Sequence, residues 1–417
     1  MSTEVTDRVE EATSATFRDE DVELTRSLIG KEFASPAREQ WTEASHDTMR
    51  AYSRAAGDDN PLFCDREYGK RTRWSGQIAA PFMVRAINNP LRGEKPPRQA
   101  SFRGIHQFVS GQTIDWYLPI REGDKLFKFG GIEGLTPKES SFAGRSLIKV
   151  DRWTHINQRG EVVAVSRPLM VMTERKAARE RKKLADLELA NYSPEDIARH
   201  DAIYAAEQPR YGEPRYWEDV EVGDRIGPAG GGPLTMTDII FWHAGGVGFR
   251  FNPGSGRMAY KNRQRMPAFY VPNDQGVPDI AQRVHWDSSW ARAIGAPSAY
   301  DYSVMREAWL AHVLTDWMGD DGWMCHMHAE VRKFNYIGDL HVFTGQVMKK
   351  RHEDGRAIVD VRVAGVNQRG EESCHAVAAI ALPSRDHGPV QLPQPPADLA
   401  RRALEFMIEH NRRTHGE

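Results

Sequence analysis

The chain has 417 residues, with 56 Lys and Arg against 58 Asp and Glu, and 40% of its residues are hydrophobic. This length exceeds that of a typical single domain, and the balanced charge argues against a nucleic-acid or anionic-membrane binder. Since it has no apolar run of about 18 residues and begins with an acidic, polar segment, we expect a cytoplasmic protein without a membrane span or secretion signal.

A five-residue segment, NQRGE, occurs twice, at 157–161 and at 367–371. Each copy lies between two runs rich in β-branched and apolar residues, and its glycine is suited to a turn, which predicts two β-hairpins. A Gly-Asp pair precedes each hairpin, at 123–124 and at 338–339, and opens a further strand. The order of elements is therefore the same in both halves of the chain, as expected for an internal repeat.

Each half also contains an apolar stretch before its strands, at 76–87 in the first half and at 298–317 in the second. These stretches are apolar on most faces of a helix, so each predicts a buried helix. A buried helix followed by successive antiparallel strands indicates an α+β fold in which a curled sheet surrounds the helix. We therefore predict two tandem hot-dog folds that pack against each other as a pseudo-dimer.

Changes in composition give the expected domain boundaries. The segment 174–208 is charged and rich in helix formers, which is typical of a linker helix, and 387–398 is rich in proline. The predicted parts are an acidic N-terminal tail (1–24), an N-terminal hot-dog domain (25–173), a charged helical linker (174–212), a C-terminal hot-dog domain (213–385) and an extension with a helix (386–417).

A polar motif in the first half carries a family resemblance. Residues 57–62, Gly-Asp-Asp-Asn-Pro-Leu, resemble the signature Gly-Asp-x-Asn-Pro-x-His of the MaoC-type dehydratases and (R)-specific enoyl-CoA hydratases. In that family the Asp and His hold a water molecule, and a backbone N–H about 18 residues after the His binds the thioester oxygen. Such groups suit the addition of water to a conjugated thioester, because the reaction moves protons and places negative charge on the carbonyl oxygen.

The resemblance implies a hydro-lyase that interconverts a 2-enoyl thioester and a 3-hydroxyacyl thioester by acid/base chemistry. It implies no cofactor and no metal, and a substrate carried by CoA or by an acyl carrier protein. Two alternatives stay open at this stage. One is a hot-dog acyl-CoA thioesterase, and the other is a non-catalytic acyl-thioester-binding partner of an active hydratase. In each case we expect a homodimer or a larger assembly of hot-dog domains.

The family pattern is degenerate in the first half and partly restored in the second. Phe63 stands where the family has His, and 18 residues later stands Pro81, which has no N–H to donate. In the second half His285 is followed after the same 18 residues by Ser303, and Phe63 to His285 and Pro81 to Ser303 are both separations of 222 residues. We therefore predict His285 as the acid/base group and the Ser303 N–H as the oxyanion donor.

The carboxylate partner of His285 is not fixed by the sequence. Ile280 stands five residues before His285, and about thirty extra residues precede the motif in the second half. Asp279 from this loop and Asp58 from the first half are equal alternatives, although Asp58 is also suited to a purely structural role as a cap for backbone N–H groups. Further candidates are Asp274, Asp287, Asp301 and His243.

Four other residues are candidates for substrate binding: Asn60, Tyr300, Tyr302 and Arg306. Asn60 belongs to the motif, and the two tyrosines flank the predicted oxyanion donor. Ordinary helix packing explains the tyrosines equally well, and an internal ion pair is the simpler role for Arg306. The segment 325–328, Cys-His-Met-His, lacks the further ligands of a tetrahedral site, so we predict no metal there.

Overall fold

The computed structural model describes residues 16–36, 41–102, 105–140, 144–174, 187–248 and 253–416. The strands are β1 (Phe33–Ala34), β2 (His106–Trp116), β3 (Leu126–Ser140), β4 (Gly144–Asn157), β5 (Val162–Thr173), β6 (Arg225–Gly231), β7 (Tyr270–Pro272), β8 (Pro278–Ile280), β9 (Trp323–Val331), β10 (His341–Glu353), β11 (Arg356–Asn367) and β12 (Glu372–Ala381). Ten of them form one sheet, in the order β1-β3-β4-β5-β2-β9-β12-β11-β10-β6, and β7 and β8 form a separate ribbon.

The order of strands in the large sheet is symmetric about its centre. The first half contributes β1-β3-β4-β5-β2, and the second half contributes the matching strands in reverse order. The two halves meet where β2 and β9 pair antiparallel, with Gly111 opposite Glu330 and Asp115 opposite His326. The predicted fold, two tandem hot-dog units in one α+β protein, is confirmed by this arrangement.

Both NQRGE segments form the predicted hairpin turns. In each copy the Asn N–H donates to the Glu carbonyl across the turn, at 3.0 and 2.9 Å. Gly160 and Gly370 have φ of 77° and 74°, a left-handed conformation that favours glycine. The turn arginine in each unit makes an ion pair with the Asp of the preceding Gly-Asp pair, Asp124 or Asp339, at 3.5 and 2.6 Å.

The helices are α1 (Asp19–Ser27), α2 (His46–Ala56), α3 (Pro61–Cys64), α4 (Arg66–Arg71), α5 (Pro194–Ala206), α6 (Met236–Ala244), α7 (Gly256–Arg265), α8 (Ser288–Ala293), α9 (Ser303–Met318) and α10 (Ala397–His415). Short 3₁₀ turns lie at Pro81–Arg85, Trp217–Asp219, Pro267–Phe269 and Ala281–His285. None of these described helices has the length and apolarity that crossing a membrane requires.

The central helix differs between the two units. In the second unit α9 is 16 residues long and most of its residues are buried. In the first unit the expected helix over 76–87 is reduced to the turn Pro81–Arg85. Proline and glycine, which cannot sustain a helix, recur from residue 90 to residue 97, and the chain there is irregular. The core of the first unit is therefore completed by residues of α9, since one apolar cluster contains residues of both units.

The predicted tail and linker are only partly described. Residues 1–15 of the tail and 175–186 of the linker lie outside the described residues. The rest of the linker is irregular up to Ser193, which caps α5 by accepting a hydrogen bond from the Asp196 N–H. Helix α5 lies beside β6, where the Tyr204 hydroxyl donates to the Gly232 carbonyl at 3.0 Å.

The last helix, α10, returns to the first unit. Its residues Leu399, Ala403 and Met407 are buried in a separate apolar cluster with residues of β3, β4 and β5. Phe406 stacks on Phe129 of β3 with ring centroids 4.3 Å apart. Because the main core lies on the other face of the sheet, α10 covers the outer face of the N-terminal unit.

Helix α2, which leads into the motif loop, begins with a reciprocal cap. The Thr48 N–H donates to the Ser45 hydroxyl oxygen at 3.2 Å, and the Ser45 N–H donates to the Thr48 hydroxyl oxygen at 2.8 Å. We expect Ser45→Ala to lower the free energy of unfolding by about 1 kcal/mol, measured by urea denaturation. Ser27→Ala at the exposed end of α1 is the control, and an equal loss in both variants would contradict this role of the cap.

Candidate active site

The motif loop of the first unit is held by its own polar side chains. Helix α2 ends at Gly57, which is left-handed with φ of 73°. The Asn60 N–H then donates to Asp58 Oδ1 at 3.0 Å, and the Leu62 N–H donates to Asn60 Oδ1 at 2.9 Å. Asp58 and Asn60 are both buried. The structural role considered for Asp58, capping a backbone N–H, is thus present in the loop.

Asp58 also contacts an imidazole from the other unit. His312 of α9 places Nδ1 3.1 Å from Asp58 Oδ1, which is within ion-pair distance. On the other side of the ring, Nε2 lies 3.5 Å from Asp316 Oδ2. Burial works against the charged ring, but the carboxylates of Asp58 and Asp316 outweigh it and raise the pKa of His312 to about 10.

Sequence reasoning did not find His312. The available signal was a His and an Asp four residues apart, 312 and 316, within an otherwise apolar helical stretch. Residues at this spacing share one face of a helix. Burial raises the pKa of the Asp316 carboxyl to about 7, although the neighbouring His312 ring works in the opposite direction.

An apolar cavity that is partly open to solvent lies beside the motif loop. Asn60, Phe63 and Pro81 line it, so it occupies the position in the first unit that His285 and Ser303 occupy in the second. The other walls are largely aromatic and aliphatic and come from both units, among them Trp74, Trp116, Thr315, Met318 and Trp323.

His285 lies at the end of a 3₁₀ turn and faces the beginning of α9. Its Nδ1 is 2.9 Å from the Tyr300 carbonyl oxygen. Because a carbonyl can only accept, Nδ1 carries the hydrogen and Nε2 carries the lone pair. The ring packs on Tyr302 with centroids 3.7 Å apart. Burial lowers the pKa of His285 to about 4, so the ring is neutral and can accept a proton at pH 7.

Ser303 is the first residue of α9. No acceptor for its backbone N–H is found in the part of the chain that the structure describes. The N-terminal end of a helix attracts negative charge through its aligned peptide dipoles and unpaired N–H groups. The residue before it, Tyr302, is fixed by a hydrogen bond that its hydroxyl accepts from Gln282 Nε2 at 2.8 Å, and this hydroxyl is 3.2 Å from His243 Nε2.

The carboxylates considered as partners of His285 have other contacts. Asp279 Oδ1 accepts from the Ile280 N–H, and Asp287 pairs with Arg283 at 3.0 Å. Asp301 is buried in an ion pair with Arg306, at 2.7 and 3.1 Å. Asp274 lies in the turn before β8. Among the described residues, no carboxylate contacts His285.

Two of the substrate-binding candidates, Arg306 and Tyr300, make contacts with other residues of the protein. The Arg306 guanidinium is buried and, besides Asp301, donates to the Lys333 carbonyl at 2.6 Å. Tyr300 packs edge to face against His285, with centroids 5.0 Å apart.

In the 325–328 segment, His326 contacts Asp115 and His328 contacts Thr113. Over the described residues, no group of three or more His, Cys, Asp or Glu side chains is arranged to hold a metal ion.

The two histidine centres are separate. Ser303 and His312 are nine residues apart on α9, which corresponds to about 14 Å along the helix axis. A single thioester carbonyl cannot contact both. The structure therefore presents one centre at the head of α9, around His285, and another midway along α9, around Asp58 and His312.

Comparison with known proteins agrees with this architecture. Residues 27–166 match the family model described as FAS1-like, dehydratase domain region. A UPF0336 protein of Streptomyces avermitilis is 27% identical over 144 residues, which are 34% of this chain and 91% of the relative. A UPF0336 protein of Streptomyces coelicolor is 26% identical over the same length.

A solved structure extends the similarity to both units. The protein described as MaoC-like dehydratase is 16% identical and has a TM-score of 0.57, and the match covers 86% of this chain and 99% of that one. At this identity the likeness concerns the fold. Together with the match of the first unit to a dehydratase domain region, it confirms the resemblance predicted from the motifs. The chain is a double hot-dog protein with the fold of the MaoC-like dehydratases.

Proposed function

We propose that the chain catalyses the reversible hydration of a 2-enoyl thioester to a 3-hydroxyacyl thioester at the head of α9. The observation that carries this proposal is the neutral imidazole of His285, which is fixed through Nδ1 by the Tyr300 carbonyl and packs on Tyr302, the residue before Ser303. Ser303 begins a buried helix, and its N–H has no acceptor among the described residues. A base and an oxyanion donor are the two groups that this reaction requires.

The steps follow from these two groups. His285 Nε2 takes a proton from water while the water oxygen bonds to C3 of the substrate. The electrons of the C2–C3 double bond move to the thioester oxygen, where the Ser303 N–H and the helix dipole stabilise the negative charge. The protonated ring then returns its proton to C2, and the reverse sequence removes water. The mechanism needs no cofactor, and no carboxylate partner for His285 is required.

The substrate class is part of the proposal. A thioester can be presented on CoA or on an acyl carrier protein. A homodimer or a larger assembly of hot-dog domains also stays a prediction. Each chain by itself already contains two hot-dog units.

The test is incubation of the purified protein with 2-octenoyl-CoA. We expect the absorbance of the conjugated thioester to fall and mass spectrometry to show a product heavier by one water. Free thiol is measured in parallel. Release of thiol without the hydrated product would assign hydrolysis, and absence of both changes would favour a non-catalytic partner; either result would overturn the hydro-lyase proposal.

A further inference from the structure

Helix α7 carries a concentration of positive charge in a chain that is otherwise close to neutral. From residue 239 to residue 273 the sequence has five Lys and Arg residues and no Asp or Glu. Four of the five lie in α7: Arg257, Lys261, Arg263 and Arg265. Among the described residues, none of these four has a carboxylate partner. The helix therefore presents a positive surface that the chain itself does not neutralise.

Three of these cations form a row on one face of α7. Arg257, Lys261 and Arg265 follow each other at intervals of four residues, a spacing that places side chains one above another on a helix. All three are exposed. The row extends about 12 Å along the helix axis. We call these three residues the cationic row.

Packing within the chain does not account for α7. A helix of this length is marginal by itself in water, because most helical stability in proteins comes from burial of an apolar face. Helix α7 has 10 residues and buries none of them. Its large apolar side chains Met258 and Tyr260 are 59% and 53% exposed. These properties are expected of a helix that another molecule covers.

Helix α7 is attached close to the proposed active site. It belongs to an insertion that the first unit lacks. At the start of this insertion the Gly248 carbonyl accepts from Gln282, three residues before His285. At its end, Arg283 donates to two carbonyls of β7 at 3.0 and 3.1 Å. Since Arg265 precedes β7 by five residues, α7 ends within about 18 Å of that strand.

The form of the cationic row distinguishes between anionic partners. Nucleotide phosphates such as those of CoA are bound in concave sites where donors converge, whereas the row lies on an exposed helix without a buried residue. A lipid surface requires a continuous apolar face beside the charges, but Met258 and Tyr260 are two residues apart and point to different sides of α7. An extended acidic surface of a protein fits the row without either requirement.

We infer that the cationic row is the docking surface for an acidic acyl carrier protein, which presents its thioester to the centre at the head of α9. The inference rests on the proposed function, because it names the carrier of the same substrate. Contacts between exposed charges act mainly on the rate of encounter and are weakened by salt. The row should therefore lower KM for a protein-bound substrate without changing kcat.

The test compares 2-octenoyl-CoA with a bacterial acyl carrier protein loaded with 2-octenoyl-phosphopantetheine. The variant Arg257→Gln/Lys261→Gln/Arg265→Gln removes the row and introduces residues of similar helix propensity. We expect its kcat/KM for the loaded carrier to fall about 10-fold at low salt, through KM. Its kcat/KM for the CoA thioester should stay within about twofold of the wild-type value. In about 0.5 M NaCl the variant and the wild type should become equal, because exposed charges are then screened.

The matched control is Arg401→Gln/Arg412→Gln/Arg413→Gln on α10, which changes the net charge of the protein by the same amount. In the wild-type protein these cations pair with Glu405 and Glu409. We expect the control to react with the loaded carrier as the wild type does. An equal loss in the control would indicate a general effect of net charge and would overturn the docking surface.

Binding of the unloaded carrier protein, measured by calorimetry, gives a readout that needs no reaction. If the wild type hydrates neither thioester, the hydro-lyase proposal fails, but weaker carrier binding by the α7 variant still supports the docking surface. Equal binding and equal rates for variant and wild type overturn the docking surface, even if 2-octenoyl-CoA is hydrated. An equal loss with both thioesters assigns the row to CoA phosphates. Loss of binding only to anionic phospholipid vesicles assigns it to a lipid surface, and either of these results overturns the inference.

Discussion

Ser303→Pro is expected to lower the rate of 2-octenoyl-CoA hydration by about 10²-fold, because it removes the one N–H that the mechanism assigns to the thioester oxygen. We expect the substitution to remove this N–H without disturbing the start of the helix. Proline is favoured at the first position of a helix, and the extended conformation of Tyr302, with φ of −83° and ψ of 126°, is compatible with a following proline. The first unit already has Pro81 at the equivalent position.

The control for this variant is Ser303→Ala, which keeps the N–H and removes only the hydroxyl. We expect its kcat to stay within about threefold of the wild-type value, a difference of less than 1 kcal/mol. Circular dichroism and urea denaturation check that both variants are folded. Equal activity of Ser303→Pro and Ser303→Ala would exclude the backbone of residue 303 as the oxyanion donor.

His285→Ala is expected to lower the same rate by about 10²-fold, since general acid/base catalysis by one side chain contributes on the order of 10²–10⁴. Both substitutions disable one centre, so the double variant should be no slower than either single variant.

The pH dependence gives a second check on His285. The ring acts as a base only when it is neutral, and burial lowers its pKa to about 4. Wild-type kcat/KM should therefore be level near neutral pH and fall toward about pH 4, as the ring takes up a proton. His352→Ala, an exposed histidine on β10, is the control and should leave the profile unchanged. A wild-type acid limb near pH 6.5 would contradict the assignment, because that is the value of an unperturbed histidine.

The repeated parts of the fold could be predicted because their information is local. The NQRGE turns each specify a hairpin within a few residues, and the Gly-Asp pairs each precede a strand. The structure shows both hairpins in matching positions. The prediction of a central helix in the first unit was wrong. An apolar pattern over 76–87 resembles a buried helix, but Pro81 and the prolines that follow it limit the helix to one short turn.

The candidate sites could be predicted only in part. The equal spacing of Phe63 to His285 and Pro81 to Ser303 identified the head of α9, since that spacing is conserved through one repeat. The contact between Asp58 and His312 could not be inferred, because it depends on how far α9 reaches into the other unit. The carboxylates around His285 could not be assigned either. Asp287 pairs with Arg283, Asp301 pairs with Arg306, and Asp279 accepts from a backbone N–H.

The position of α10 has a consequence for how the protein is made. Leu399, Ala403 and Met407 are synthesised after the first unit, yet they cover an apolar strip on that unit. During translation that strip stays exposed until α10 has been synthesised, and exposed apolar strands at that stage promote aggregation. We therefore expect the first unit without α10 to aggregate more readily than the whole chain.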